Sequence, residues 1–298
     1  VTFGSPGTAC LDAATGDTVW ERTDFVCNHF RGAGSSPCVA GGRVYLNFDG
    51  SDFQYVAAMD AATGKTIWKT DRSVDYKDTD PKTNAPKADG DFRKGFSTAR
   101  VVKINGADQL LSVGGKAAYG YDPATGKEIW RLDFAAVGVD SHSPGTTPVV
   151  GPDLIYIPTG SGKSELLAVR PGGTGAVGAD RVVWRVKKNV PKRPSPLLHD
   201  GLLYTVDDDA IAVCLDAATG AEVWKQRVNG KNFSASPVLA DGRVYLFGEN
   251  GVTTTLAAGR EFKKLGEGEF PDGFMNGPAV ADGAFFLRTK TTVYRVQK

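Results

Sequence analysis

Several things are scarce in this sequence of 298 residues. No window approaches eighteen consecutive apolar residues, so no segment reads as a membrane-spanning helix. The formal charge is only +1, which leaves no global electrostatic footprint for nucleic acid or an anionic membrane. The three histidines, His29, His142 and His199, lie far apart. The four cysteines, Cys10, Cys27, Cys38 and Cys214, show neither Cys-x-x-Cys nor zinc spacing, so no metal site is predicted. Nothing pairs a nucleophile with a base, which argues against a hydrolase. What the chain has in quantity is 37 glycines and 16 prolines, without a collagen-like period, so they read as many turns. The expectation is a soluble, turn-rich, all-β protein. The chain opens at Val1 without an initiator Met, as if inside a strand, and reads as a fragment of a longer protein.

One phrase recurs. Leu11-Asp12-Ala13-Ala14-Thr15-Gly16 runs on to Trp20. It returns from Met59 through Gly64 to Trp68, from Tyr121 through Gly126 to Trp130, and from Leu215 through Gly220 to Trp224. A degenerate copy with a longer turn begins at Val169-Arg170-Pro171 and ends at Trp184, so all five tryptophans occupy one slot. A second phrase precedes each later copy: Ser36-Pro37 to Tyr45, Thr147-Pro148 to Tyr156, Ser195-Pro196 to Tyr204, and Ser236-Pro237 to Tyr245. It recurs from Pro278 to Gly283, and weakly from Ser97 to Leu111.

Each unit reads as four short strands. The Asp-Ala-Ala-Thr-Gly turn joins the third to the fourth: Asp can accept from the following amides, and Gly16, Gly64, Gly126 and Gly220 supply the positive φ such a turn needs. With tryptophans 40 to 62 residues apart, four antiparallel strands per unit indicate a β-propeller of four-stranded blades. A tryptophan on each outermost strand would fill the gap between neighbouring blades, burying roughly 150–250 Å². Second strands are expected at Val1–Gly4, Val44–Phe48, Gln109–Val113, Leu154–Ile157, Leu202–Val206, Val244–Gly248 and Ala284–Arg288. That makes one domain over residues 1–298, of seven blades with the first and last incomplete; eight is the alternative.

The two phrases resemble the pyrroloquinoline-quinone-like (PQQ-like) propeller repeat, and the likeness covers nearly the whole chain. That family holds quinoprotein alcohol dehydrogenases, a non-catalytic lipoprotein scaffold of bacterial outer-membrane protein assembly, and many secreted bacterial repeat proteins. The resemblance implies a non-catalytic, extracytoplasmic binding or scaffold module, in the periplasm or at the cell surface. The alternative it implies is a PQQ-dependent alcohol or sugar dehydrogenase using Ca²⁺. The dehydrogenases carry two adjacent cysteines over the quinone, and no two cysteines are adjacent here. No cofactor is therefore expected.

Gly160-Ser161-Gly162-Lys163-Ser164 looks like the end of a phosphate-binding loop. Ile157 stands where that loop needs its first Gly, so the segment reads as a hairpin turn. Asp207-Asp208-Asp209 likewise reads as a turn before it reads as a Ca²⁺ site. Cys10, Cys38 and Cys214 fall in apolar repeat slots, while Cys27, in a connector, could pair with Cys38.

The connectors from strand four to the next strand one vary most in length, and such loops on a rigid scaffold are where binding resides. They are 21–34, 71–96, 131–145, 185–193, 225–235 and 266–276. The longest, Asp71–Phe96, carries six acidic and six basic residues. The connector ends collect His29, Phe30, Arg31, Arg93, Lys94, His142, Lys192, Arg193, Asn232, Phe233 and Asn276, rich in cations and poor in carboxylates. These residues are the expected ligand or partner face, suited to a protein, an anionic small molecule or a glycan. A monomer is expected. Alanine at Arg31, Arg93 and Arg193 should then abolish anion binding and leave the melting temperature nearly unchanged.

Overall fold

The computed structural model describes residues 1–29 and 31–297. They form two compact units: one of Val1–Ser164 with Val169–Val182, the other of Glu165–Ala168 with residues 183–297.

In the first unit, strands Cys38–Ala40, Arg43–Asp49, Gln54–Asp60 and Thr66–Asp71 form one antiparallel sheet in chain order. Strands Arg100–Ile104, Ala107–Val113, Ala117–Tyr121 and Glu128–Asp133 form another. Its outer edge is extended by Gly175–Ala176, which runs parallel to Glu128–Asp133 and comes from the longer turn of the degenerate repeat. Thr8–Leu11 pairs with Thr18–Arg22. In the second unit, Leu197–His199, Leu202–Val206, Ile211–Asp216 and Glu222–Arg227 repeat the order. So do Val238–Ala240, Arg243–Phe247, Val252–Ala257 and Lys264–Glu269. Ala279–Ala281, Ala284–Arg288 and Val293–Gln297 follow as three strands.

Two expectations need correction. Val1–Gly4 is not a regular second strand: only a bridge joins Thr2 to Thr8, because Gly4 and Gly7, both at positive φ, fold the chain back through Pro6. The expected connector starts, Glu21, Asp71, Arg131, Arg185, Lys225 and Gly266, all lie within fourth strands, so each connector begins later than expected.

The recurrent turn forms as its composition requires. Asp12 Oδ1 accepts from the amides of Ala14 and Thr15, both at 2.9 Å, and Asp122 accepts from Ala124 and Thr125 at 2.8 and 2.9 Å. Hydrogen bonds from Thr15 and then Ala14 hold the Asp12 carboxyl below its ordinary value. The turn glycine adopts φ of +69° at Gly64 and +73° at Gly126 and Gly220.

The tryptophans latch each sheet to the following turn. Trp20 Nε1 donates to the Ala61 carbonyl at 2.9 Å, and Trp68 Nε1 to that of Pro123 at 3.1 Å. Trp184 and Trp224 reach Ala217 and Gly259, both at 3.1 Å. The indole faces press on the next turn's glycine so closely that a Cβ at Gly64, Gly126 or Gly220 would lie 2.5–2.7 Å from the ring of Trp20, Trp68 or Trp184. Trp130 departs from the pattern. Its Nε1 donates to Gln109 Oε1 at 2.9 Å in its own sheet, and Gly175 lies beside it.

Candidate functional site

The loops that follow second and fourth strands are knit together in each unit, and the first unit shows this most fully. Strand Arg43–Asp49 ends on Asp49, whose carboxylate is fully buried and takes a fork of bonds from Arg72, at 2.9 Å from Nε and 2.7 Å from Nη2. Burial works against the Arg72 charge, but the carboxylate beside it outweighs this and pushes the guanidinium pKa up. Arg72 also donates to Ser112 Oγ at 2.8 Å, Ser112 to Asn47 Oδ1 at 2.9 Å, and Asn47 Nδ2 to the Ser97 carbonyl at 2.7 Å. The start of the long insertion, at Arg72, and its end, at Ser97, are thus fastened to one strand.

Above this network the loops interlock. The Gly95 amide donates to the Asp49 carbonyl at 3.1 Å, Ser51 N to Asn28 O at 3.0 Å, and Phe96 N to Pro144 O at 2.8 Å. Gly90, at φ +74°, sits so close over Ser51 that a Cβ would lie 2.2 Å from its carbonyl oxygen. The phosphate-loop look-alike takes part as well. Ser161–Gly162 pairs antiparallel with Ser141–His142, and a Cβ at Gly160 would meet the His142 carbonyl at 2.4 Å. Its glycines serve a close backbone crossing.

This platform brings several expected residues together. The His29 ring meets Phe96 edge-on at 5.4 Å, and His142 lies 4.5 Å from Phe92. Burial, ahead of other influences, lowers the pKa of both imidazoles, so each is neutral at pH 7. Arg31 is open to solvent and stands 3.8 Å from Asp91. Phe53 and Phe92 show 57% and 38% of their surface, exposing aromatic rings on otherwise polar loops. Phe30 lies outside the described residues. Along the insertion runs a cleft of about 480 Å³ lined by Val74, Tyr76, Lys77, Lys116, Asp133 and Val139.

Other expectations are overturned. Lys94 is fully buried, its ammonium paired with Asp91, so it offers no surface. Arg93 is held by Asp78 at 2.5 Å and lies over the Tyr76 ring. In the second unit, Arg193 bridges Asp208 at 3.0 Å and Glu249 at 2.8 Å, and Lys192 meets Asp208 at 3.3 Å. Ser234 Oγ also donates to Glu249, at 2.5 Å. The connector ends are therefore not a basic mouth. The carboxylates that neutralise them come from strand-two to strand-three hairpins, at Asp208 and Glu249, and from within the insertion, at Asp78 and Asp91. The ends alone hide them. Phe233 is fully buried in a cluster with Tyr204, Val206 and Val228, which removes it from the face. Asn232 and Asn276 are exposed, Asn232 at φ +47°.

Asp207 is an Asx turn: its Oδ1 accepts from the amides of Asp209 and Ile211 at 3.0 and 2.9 Å. All four cysteines are free, with Cys27 in the cluster around Phe25 and Phe48 and Cys38 against the separate cluster of Tyr45 and Ala58. Among the described residues no three His, Cys, Asp or Glu side chains are grouped to hold a metal ion, and no helix is long and apolar enough to cross a membrane.

Four-stranded antiparallel sheets joined by tryptophan latches define the chain as a PQQ-like β-propeller repeat protein. The family model described as outer membrane protein assembly factor BamB matches residues 1–175 and 170–260, and the chain belongs to that family. Among solved structures it is similar to BamB from Moraxella catarrhalis, at 13% identity and a TM-score of 0.52 over 92% of this chain and 86% of that one. It is also similar to the computationally designed Ika8 protein, at 10% identity and a TM-score of 0.67 over 99% of this chain and 79% of that one. No curated protein matches it.

Proposed function

We propose that this chain is a non-catalytic binding scaffold serving outer membrane protein assembly, outside the cytoplasm, with a protein as its partner. The observation that carries the reading is the first unit's platform. Segments around Asn28, Ser51, Phe96 and Pro144 are fixed to one another by backbone bonds, Gly90 packs closely on Ser51, and the whole is anchored on the buried Asp49–Arg72 pair. Such a surface is pre-organised, so little ordering entropy is lost when a partner binds. On it Arg31, Phe53 and Phe92 are exposed, and aromatic and arginine side chains are the usual anchors of protein interfaces. His29 and His142 flank these anchors. Taken by itself, the second unit exposes Lys192, Arg193, Asn232 and Asn276, polar side chains that would guide a partner's approach more than add affinity.

The test is made in cells that carry the gene, reading the folded fraction of outer-membrane β-barrel proteins by their heat-modifiable migration. Deletion should lower that fraction, and the triple variant Arg31→Ala, Phe53→Ser, Phe92→Ser should do the same at normal protein level and melting temperature. A deletion without effect overturns the assembly role. A deletion that acts while the triple variant does not overturns this face as the contact surface.

A further inference from the structure

The cations at the connector ends are matched by carboxylates, but two lysines of the first unit are not. Lys77 lies near the start of the long insertion, and Lys116 in the hairpin between Ala107–Val113 and Ala117–Tyr121. Neither makes an ion pair among the described residues. Lys116 stands instead 5.9 Å from the centre of the Phe92 ring. Both lysines line the cleft of about 480 Å³ that runs along the insertion, a volume within the range of small-ligand sites.

The walls of the cleft are held in place. On one side the Phe134 amide donates to the Lys116 carbonyl at 3.0 Å, and the Val139 amide to the Phe134 carbonyl at 2.9 Å. On the other, Arg93 is fixed by Asp78 and stands 5.2 Å from the centre of the Tyr76 ring. Val74 and Val139 are buried, and with Ala135 and Ala136 they give the lining its apolar surface. Three carboxylates share the lining, and each has a partner. Asp133 takes bonds from Arg131 at 2.6 and 3.2 Å, and Asp75 Oδ1 accepts from the Lys77 amide at 2.9 Å. Asp140 lies 3.7 Å from Lys163.

We propose that this cleft binds a small organic monocarboxylate with an apolar body. The carboxylate would sit with Lys77 and Lys116, whose ammonium groups give charge-assisted hydrogen bonds. The body would lie along Val74, Tyr76, Ala136 and Val139 and gain by leaving water. One negative charge fits this lining better than two, because a second would be brought towards Asp75 and Asp140. An amine is disfavoured by the same two lysines. The site is separate from the partner surface of the proposed function and does not rest on it.

Hexanoate titrated into the whole chain at neutral pH, followed by saturation-transfer NMR, should give a saturable signal at millimolar concentration or below. Hexanol, hexylamine and hexyl phosphate should each bind about tenfold more weakly or worse. The double variant Lys77→Gln, Lys116→Gln should lose about tenfold or more in hexanoate affinity at an unchanged melting temperature, since both side chains lack ion pairs to break. Ala136→Trp, made at an exposed position of the lining, should fill the cleft and abolish the signal. Absence of saturation overturns the proposal, as does hexanoate affinity retained in either variant. Hexanol or hexylamine binding as tightly as hexanoate overturns the carboxylate, and tighter binding of hexyl phosphate overturns the single charge.

Discussion

Arg72 and Asp49 stand 23 residues apart in sequence and form a forked ion pair from which solvent is fully excluded. Removing one partner leaves an uncompensated buried charge. Arg72→Met should cost about 3–5 kcal/mol in urea unfolding and loosen the whole insertion, seen as faster amide exchange from Ser73 to Phe96. The double variant Asp49→Asn, Arg72→Met should be less destabilised than the two single losses summed, because no bare charge remains.

The latch separates two glycines at the same place in the repeated turn. Gly126→Ala puts a methyl group into the Trp68 ring as well as straining φ, whereas Gly16→Ala, with nothing within 4 Å, meets only the backbone strain. Gly16→Ala should cost about 1 kcal/mol and Gly126→Ala distinctly more, as read from denaturation midpoints. Trp68→Phe, which loses the bond to Pro123, should cost at least about 1 kcal/mol.

Stability should fall on mild acidification. His29 and His142 titrate below their unfolded value of 6.5, so the unfolded chain binds more protons as pH drops through that value. The contribution is complete above pH 6.5 and is lost progressively as pH falls towards the lowered folded values. Melting temperatures measured from pH 7.5 to 5 should decline, and His29→Gln should flatten the decline. An equal slope in the variant would refute the assignment.

Thiol reactivity should sort the cysteines. Burial pushes the Cys27 and Cys214 thiols up to about 12, so neither forms thiolate at pH 8. Iodoacetamide followed by mass spectrometry should label the partly exposed Cys10 and Cys38 first, and the other two only on unfolding.

The propeller was legible because its instructions are local. Asp122, Thr125 and Gly126 specify a turn from within five residues, and a tryptophan at fixed distance marks the outer strand. The site was less legible because charges meet across loops. Nothing near Arg193 in sequence announces Glu249, and the alternation around Phe233 gives no sign that its ring turns inward beneath a connector. The degenerate turn after Val169 concealed a parallel strand at Gly175–Ala176, since two residues of small side chain carry no pattern.

The latches of Trp20, Trp68, Trp184 and Trp224 have their donor on one repeat's last strand and their seat on the following repeat's turn, so a repeat that has both carries both halves of the joint. Such a repeat, copied as a whole, presents a plug to its successor and a socket to its predecessor. The architecture is therefore modular under gene duplication wherever the latch is kept, and its length can change over evolutionary time at those junctions.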